Sequence, residues 1–194
     1  MAARLILVRH GRSAHVHDGR WIDRDGVVRY LEAYDAAGID DAGPPSALVS
    51  TAADAHHLLA SDMPRALASV AQLAPGRKVA STPLLREMPL PVPALPLRLP
   101  LMGWAMAIHL RWVGAIATGR PAAPPERARA AEAAAWLEAR LADGEIALAV
   151  THGAFRWLLA RTLAARGWRP VPGPRRYHPW SAWTFERDAE RERS

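Results

Sequence analysis

The chain has 194 residues, 50% of them hydrophobic, enough for one domain with a substantial core. It contains no cysteine, which excludes disulfides and thiol chemistry and suits a cytoplasmic protein. The formal net charge of +6 comes almost wholly from arginine, Lys78 being the single lysine. No zinc finger, RNA-recognition signature or lysine-aromatic stripe accompanies that charge, so specific nucleic-acid binding is not expected.

The aliphatic run Leu5-Ile6-Leu7-Val8 leads directly into Arg9-His10-Gly11-Arg12-Ser13. Such a run predicts a strand over 4–9 buried on both faces, and open α/β sheets bind ligands beyond the carboxyl ends of such strands. His10 would stand in that crevice. A neutral imidazole is a good nucleophile near neutral pH, and an adjacent arginine offers a fork of donors matched to phosphate oxygens. The apolar stretch before Arg9 is too short for a signal-peptide core, so no export signal is read. His15, Arg20 and Trp21 fall on the loop that follows, where they could touch a substrate.

Helices are expected over 28–37 and 44–55, then a strand over 57–61. The next helix, 64–74, carries Pro64 in its first turn and can aim Arg65 inward. After a strand over 78–82 comes Leu84-Leu85-Arg86-Glu87, and then a stretch from 88 to 96 with proline at nearly every second position. That composition favours an extended, polyproline-like path that wraps the surface or edges the pocket. A helix over 101–117 follows, with Trp104 and Trp112 on one face that a lid or a homodimer surface could use. Pro100, His109 and Arg111 interrupt the apolar stretch 99–118, so no membrane span is read. Region 88–120 therefore reads as a variable Pro-rich loop plus a lid-like helix.

A helix over 125–142, stopped by Gly144, precedes a second strand-to-histidine junction: strand 146–151, then His152-Gly153, then a helix over 154–166. That helix's first N–H groups would face the same crevice, a favourable place for phosphate. Between residues 146 and 185 lie six arginines and no acidic residue, a region that should attract anionic substrates. A Gly/Pro-rich loop over 167–180 leads to an edge strand at 181–186, and 188–194 form a charged tail. The strand-helix alternation predicts a single α/β domain over 1–187, a three-layer α/β/α sandwich around a mostly parallel sheet. The pairs His15/His17 and His56/His57 lack carboxylate partners at familiar spacing, and no metal site is expected.

In order and spacing, residues 4–13, 60–70, 84–88 and 146–159 resemble the histidine phosphatase superfamily, the phosphoglycerate mutase-like family. Its hallmark is an Arg-His-Gly motif closing the first strand. Carried over residue by residue, the resemblance implies His10 as the nucleophile that becomes phosphorylated. Arg9, Arg65 and His152 would grip the phosphoryl group, and Glu87 would be the proton donor. Gly153, Ser13 and Arg12 would contribute to substrate binding. Arg12 stands where many members carry an acidic or amide residue, and the Pro-rich stretch after Glu87 also departs from the family pattern. What the resemblance implies is a metal-independent, cofactor-free phosphomonoesterase of the histidine acid phosphatase type, acting on a phosphorylated small molecule. The alternatives are a mutase-like phosphotransferase and a catalytically silent phospholigand-binding module.

Overall fold

The computed structural model describes residues 1–16, 18–40, 43–117 and 123–188. Along β1 (Ala3–Arg9), Leu5 and Leu7 point to one side of the sheet while Ile6 and Val8 point to the other, and all four are buried. This is the period-two alternation of a strand covered on both faces. The other main strands are β2 (His57–Ser61), β3 (Val79–Thr82), β4 (Ile146–Thr151) and β6 (Ala182–Arg187), with a two-residue β5 (Arg169–Pro170). Among the described residues they form one six-stranded sheet in the order β3-β2-β4-β1-β6-β5. The first four in that order run parallel, and β6 pairs antiparallel with both β1 and β5.

One face of the sheet packs against α5 (Pro124–Glu138) and α6 (Gly153–Ala165), through residues such as Ala133, Leu137, Phe155 and Leu159. The opposite face packs against α2 (Ser46–Asp54) and α3 (Pro64–Leu73), through Leu48, Ala52, Ala66 and Val70. These layers are the expected α/β/α sandwich. Among the described residues two further helices, α1 (Arg24–Ala36) and α4 (Leu101–Ala117), complete the set, and a 3₁₀ turn occupies Pro83–Leu85.

Several expectations are corrected. α1 begins earlier than residue 28, because Asp23 caps it by accepting from Gly26 N at 2.8 Å. α5 ends at Glu138 rather than at 142, and Gly144, with φ of 83°, serves the turn into β4 instead of stopping the helix. Glu138 is held by Trp168 Nε1 at 2.9 Å and by Arg166 and Arg187, anchors that lie far along the chain. The 181–186 strand is not the sheet edge, since β5 pairs on its outer side, where Pro170 needs no ladder donor.

The tryptophan face of α4 is not an outer surface. Trp104 is fully buried and donates Nε1–H to Ile22 O at 2.9 Å, and Trp112 meets Trp157 edge-on at 5.1 Å. The exposed stripe is instead Met102, Met106, Leu110 and Val113. Among the described residues, no helix is long and apolar enough to cross a membrane. In the tail, Asp188 pairs with Arg169 at 2.5 Å, and residues 189–194 lie outside the described residues.

Candidate active site

The register of the sheet assembles the site. Arg9 of β1 pairs with Thr151 of β4, so the next residue of each strand, His10 and His152, emerges at the same carboxyl edge. Their ring centroids are 5.1 Å apart, and both side chains are buried. On the other side of β4 lies β2, whose chain turns into α3 at Pro64 and places Arg65 in the first helical turn. Arg65 is 1% exposed and donates Nε–H to Nε2 of His10 at 3.2 Å.

That contact and one other fix the tautomer of His10. Its Nδ1 lies 2.6 Å from Gly11 O, a carbonyl that can only accept, so Nδ1 carries the proton and Nε2 presents its lone pair. Burial, helped by Arg65, Arg9 and Arg156, lowers the His10 pKa to about 3. His152 is likewise held well below its ordinary value, by burial first and then by His10 and the surrounding arginines. Both imidazoles are therefore neutral at pH 7.

The backbone around His10 is set by close contacts. Gly11 N donates to Ser69 Oγ at 2.8 Å, and Ser69 Oγ in turn donates to Arg65 O at 2.6 Å, tying the loop to α3. A Cβ at Gly11 would come 2.5 Å from Cζ2 of Trp180, so only glycine fits there. Arg9 donates Nη1–H to Tyr177 O, and its guanidinium lies against Gly153 at the start of α6.

Glu87 reaches the same place from the 3₁₀ turn. Its carboxylate accepts from Met88 N at 2.9 Å, Phe155 N at 2.8 Å and Ala154 N at 3.2 Å. The first N–H groups of α6, expected to face a phosphate, thus meet this carboxylate. The turn carrying it is anchored by Thr151 Oγ1, which donates to Leu85 O at 2.8 Å. Arg129 adds bonds to Leu84 O at 3.0 Å and Arg86 O at 2.7 Å.

Arg12, Ser13 and His15 line the cleft that opens from His10, whereas other sequence-predicted residues lie away from it. Arg12 is exposed and pairs with Asp40 at 3.4 Å. Ser13 is buried and accepts from His15 N at 3.2 Å. Arg20 pairs with Asp18 at 2.9 Å, and Trp21 is exposed. His56 and His57 sit at the amino end of β2, the edge of the sheet away from His10, where His57 meets Glu145 at 2.9 Å. His17 lies outside the described residues.

The sequence did not single out Arg156. Fully buried on α6, it donates to Ser181 O at 2.5 Å and Arg176 O at 3.0 Å and lies 4.0 Å over the Trp183 ring. Burial first, and then Arg9, lowers its pKa to about 10. The available signal was its place one turn after His152, on the same side of the helix. Arg9 Nε, Arg156 Nε and both ring nitrogens of His152 are buried without a hydrogen-bond partner among the described residues.

With this geometry in place, the chain can be set beside known proteins. No family model matches it, and no curated protein matches its sequence. Solved structures do. A structure described as mycobacterial hydrolase 2 is 19% identical, covers 95% of this chain and 82% of its own, and has a TM-score of 0.55. A mycobacterial glucosyl-3-phosphoglycerate phosphatase is 20% identical, with coverages of 82% and 81% and a TM-score of 0.53. A phosphoserine phosphatase variant from Entamoeba histolytica, in complex with phosphoserine, is 14% identical, with coverages of 84% and 80% and a TM-score of 0.52. The chain has the histidine-phosphatase fold. In an open α/β sheet the carboxyl edges of the strands are the expected place for a ligand, and the carboxyl edges of β1 and β4 are where His10 and His152 meet.

Proposed function

We propose that this protein is a phosphomonoesterase of the histidine acid phosphatase type that works through a phosphohistidine on His10. The carrying observation is the set of buried, unpartnered nitrogens on Arg9, Arg156 and His152 beside a His10 whose unprotonated Nε2 faces Arg65. Buried polar groups are normally paired, and a phosphoryl group supplies the acceptor oxygens that such a cluster lacks.

In the first half-reaction Arg65 Nε–H passes from His10 Nε2 to a phosphoryl oxygen, and the freed Nε2 lone pair attacks phosphorus in line. The N–P bond forms, the P–O bond to the alcohol breaks, and Glu87 supplies the proton that the departing oxygen takes up. Water, losing a proton to Glu87, then attacks phospho-His10, the N–P bond breaks with its electrons returning to Nε2, and inorganic phosphate leaves. Phosphoryl transfer depends mainly on positioning and on neutralising charge over the equatorial oxygens. Arg9, Arg65 and Arg156 provide that positive charge, and His152 contributes a neutral donor. Gly153 allows Arg9 to lie close against the start of α6. This reading calls for no cofactor and no metal, and it takes a phosphorylated small molecule as substrate in the cytoplasm, where a cysteine-free chain is at home.

The test is inorganic phosphate release from a panel of phosphomonoesters by wild-type protein and by His10→Ala, with chelator present. Release by the wild type that is lost in the variant supports the reading. A folded wild-type protein that binds phosphate yet releases none from any ester overturns it and favours a silent phospholigand-binding role.

A further inference from the structure

A cleft of about 240 Å³ opens from His10, and its lining includes Tyr34, Tyr30, His15 and Pro179. The aromatic residues form a continuous series. The His10 and Tyr34 rings meet edge-on at 6.5 Å, Tyr34 and Tyr30 are 6.2 Å apart, and Tyr30 and His15 are 4.9 Å apart. Tyr30 and Tyr34 are four residues apart on α1 and so share one face of that helix. Burial first, and then Tyr34, pushes the Tyr30 phenol above its ordinary value, which keeps that hydroxyl protonated. Arg12, the cation at the cleft, is paired with Asp40.

We propose that this cleft holds the alcohol moiety of the substrate and selects a phenol, so that aryl phosphomonoesters are the preferred class. The inference rests on the phosphomonoesterase reading and adds to it the identity of the leaving group. A polyhydroxylated alcohol needs several polar partners when it is desolvated. Of the polar lining, Arg12 is paired with Asp40 and Ser13 Oγ accepts from His15 N, while Tyr34, Tyr30, His15, Val16 and Pro179 add ring and aliphatic surface beside two phenol hydroxyls and an imidazole. A phenol bonded to phosphorus through a single oxygen keeps its ring within one ring's reach of His10, where Tyr34 stands, and a substituent on that ring points toward Tyr30, the next ring of the series. A nucleobase carried on a ribose would lie farther out. In the reaction the phenolic oxygen leaves with the P–O electron pair and takes its proton from Glu87, while Nε2 of His10 forms the bond to phosphorus.

Leaving-group acidity would confuse a comparison of rates, so binding is measured with phosphonates that cannot be hydrolysed. Benzylphosphonate and butylphosphonate are titrated as inhibitors of wild-type protein, Tyr30→Leu and Tyr30→Phe. The expected result is that benzylphosphonate binds about two- to tenfold more tightly than butylphosphonate, the range that aromatic pairing supplies. Tyr30→Leu should lose that preference and Tyr30→Phe should keep it. Equal affinities in the wild type, with His10-dependent phosphate release intact, overturn the aromatic subsite and leave the hydrolase reading standing. Preferential hydrolysis of adenosine monophosphate over phenyl phosphate overturns the phenol assignment. Failure to bind either phosphonate or to release phosphate from any ester overturns both readings.

Discussion

Arg65 donates Nε–H to His10 Nε2 at 3.2 Å while its Nη1 reaches Tyr34 O at 3.2 Å and its Nη2 pairs with the Asp35 carboxylate at 3.0 Å. All three guanidinium nitrogens are therefore directed, and the side chain is pre-organised beside the nucleophile. If this cation stabilises charge on the transferring phosphoryl group, Arg65→Ala should lower kcat/KM by about 10²–10³-fold, the cost of losing one pre-organised donor. Arg65→Lys should recover only part of the loss, because one ammonium cannot satisfy the three directions at once. Steady-state kinetics on the best ester of the panel decide this, and full activity in Arg65→Lys would contradict it.

The neutral histidines tie stability to pH. His10 falls from 6.5 to about 3 on folding, through burial above all, and His152 moves in the same direction. Below about pH 6.5 the unfolded chain takes up protons at these positions while the folded chain resists them. The unfolded state then holds more protons, and stability falls as pH drops from about 6.5 toward about 3. Above that window these groups give no slope. The Tm of the wild type should decline through the window, and His10→Asn should show a shallower decline. A Tm that rises on acidification would contradict the assignment.

Legibility in the sequence followed the range of the interactions. The aliphatic runs of β1 and β4 announced themselves, because burial on both faces demands apolar residues at every position. His10 and His152 followed from their place at the strand ends. Arg65 was readable from Pro64, which starts a helix and so fixes where the next side chain can point. Arg156 was hard to tell from the five other arginines of its acid-free stretch, its one local mark being its place one turn after His152. What sets it apart is contact with Ser181, just before β6, and with Trp183 on β6. The pairing of Arg12 was hidden for the same reason, because its partner Asp40 lies beyond α1. The two-residue β5 and the early end of α5 likewise depend on pairings, with β6 and through Glu138, that no local pattern encodes.

Gly11 tests how tightly the nucleophile's loop is packed. Its φ is not in the left-handed region, so the demand for glycine is the 2.5 Å approach of a Cβ to Trp180. Gly11→Ala should destabilise the protein by about 1–3 kcal/mol, as overpacking does. Adding Trp180→Leu should restore part of that loss. Urea unfolding of the single and double variants measures the coupling, and strict additivity would show that the two residues do not clash.

Arg156 separates stability from ligand binding. Ser181 O also accepts from Arg9 N at 3.0 Å, and Arg176 O also accepts from Trp183 Nε1 at 3.1 Å, so neither carbonyl is orphaned when the guanidinium is removed. Replacing a desolvated cation by an apolar chain of similar length is often close to neutral. Arg156→Met should therefore cost less than about 1.5 kcal/mol in urea unfolding, near the value of one hydrogen bond. It should still weaken phosphate binding measurably by calorimetry. A loss of several kcal/mol with unchanged phosphate affinity would mark the residue as structural.

Glu87 has two duties that a pair of variants can separate. Its carboxylate satisfies Ala154 N and Phe155 N at the start of α6, which is a capping role, and it is the proposed proton donor and acceptor. Glu87→Gln keeps one oxygen for the helix N–H groups but cannot exchange a proton, so it should retain most of the wild-type stability. Its kcat should fall by about 10²–10⁴-fold, the range for loss of general acid-base catalysis. Glu87→Ala should show a similar kinetic loss and, in addition, a stability loss of about 0.5–2 kcal/mol from the uncapped helix. The leaving group offers a further discrimination, since a p-nitrophenolate departs without a proton. Glu87→Gln should then be impaired far less on p-nitrophenyl phosphate than on phenyl phosphate when phosphorylation of His10 limits the rate. Equal impairment on both esters in single-turnover measurements of that step would remove Glu87 from proton donation and leave it the helix cap alone.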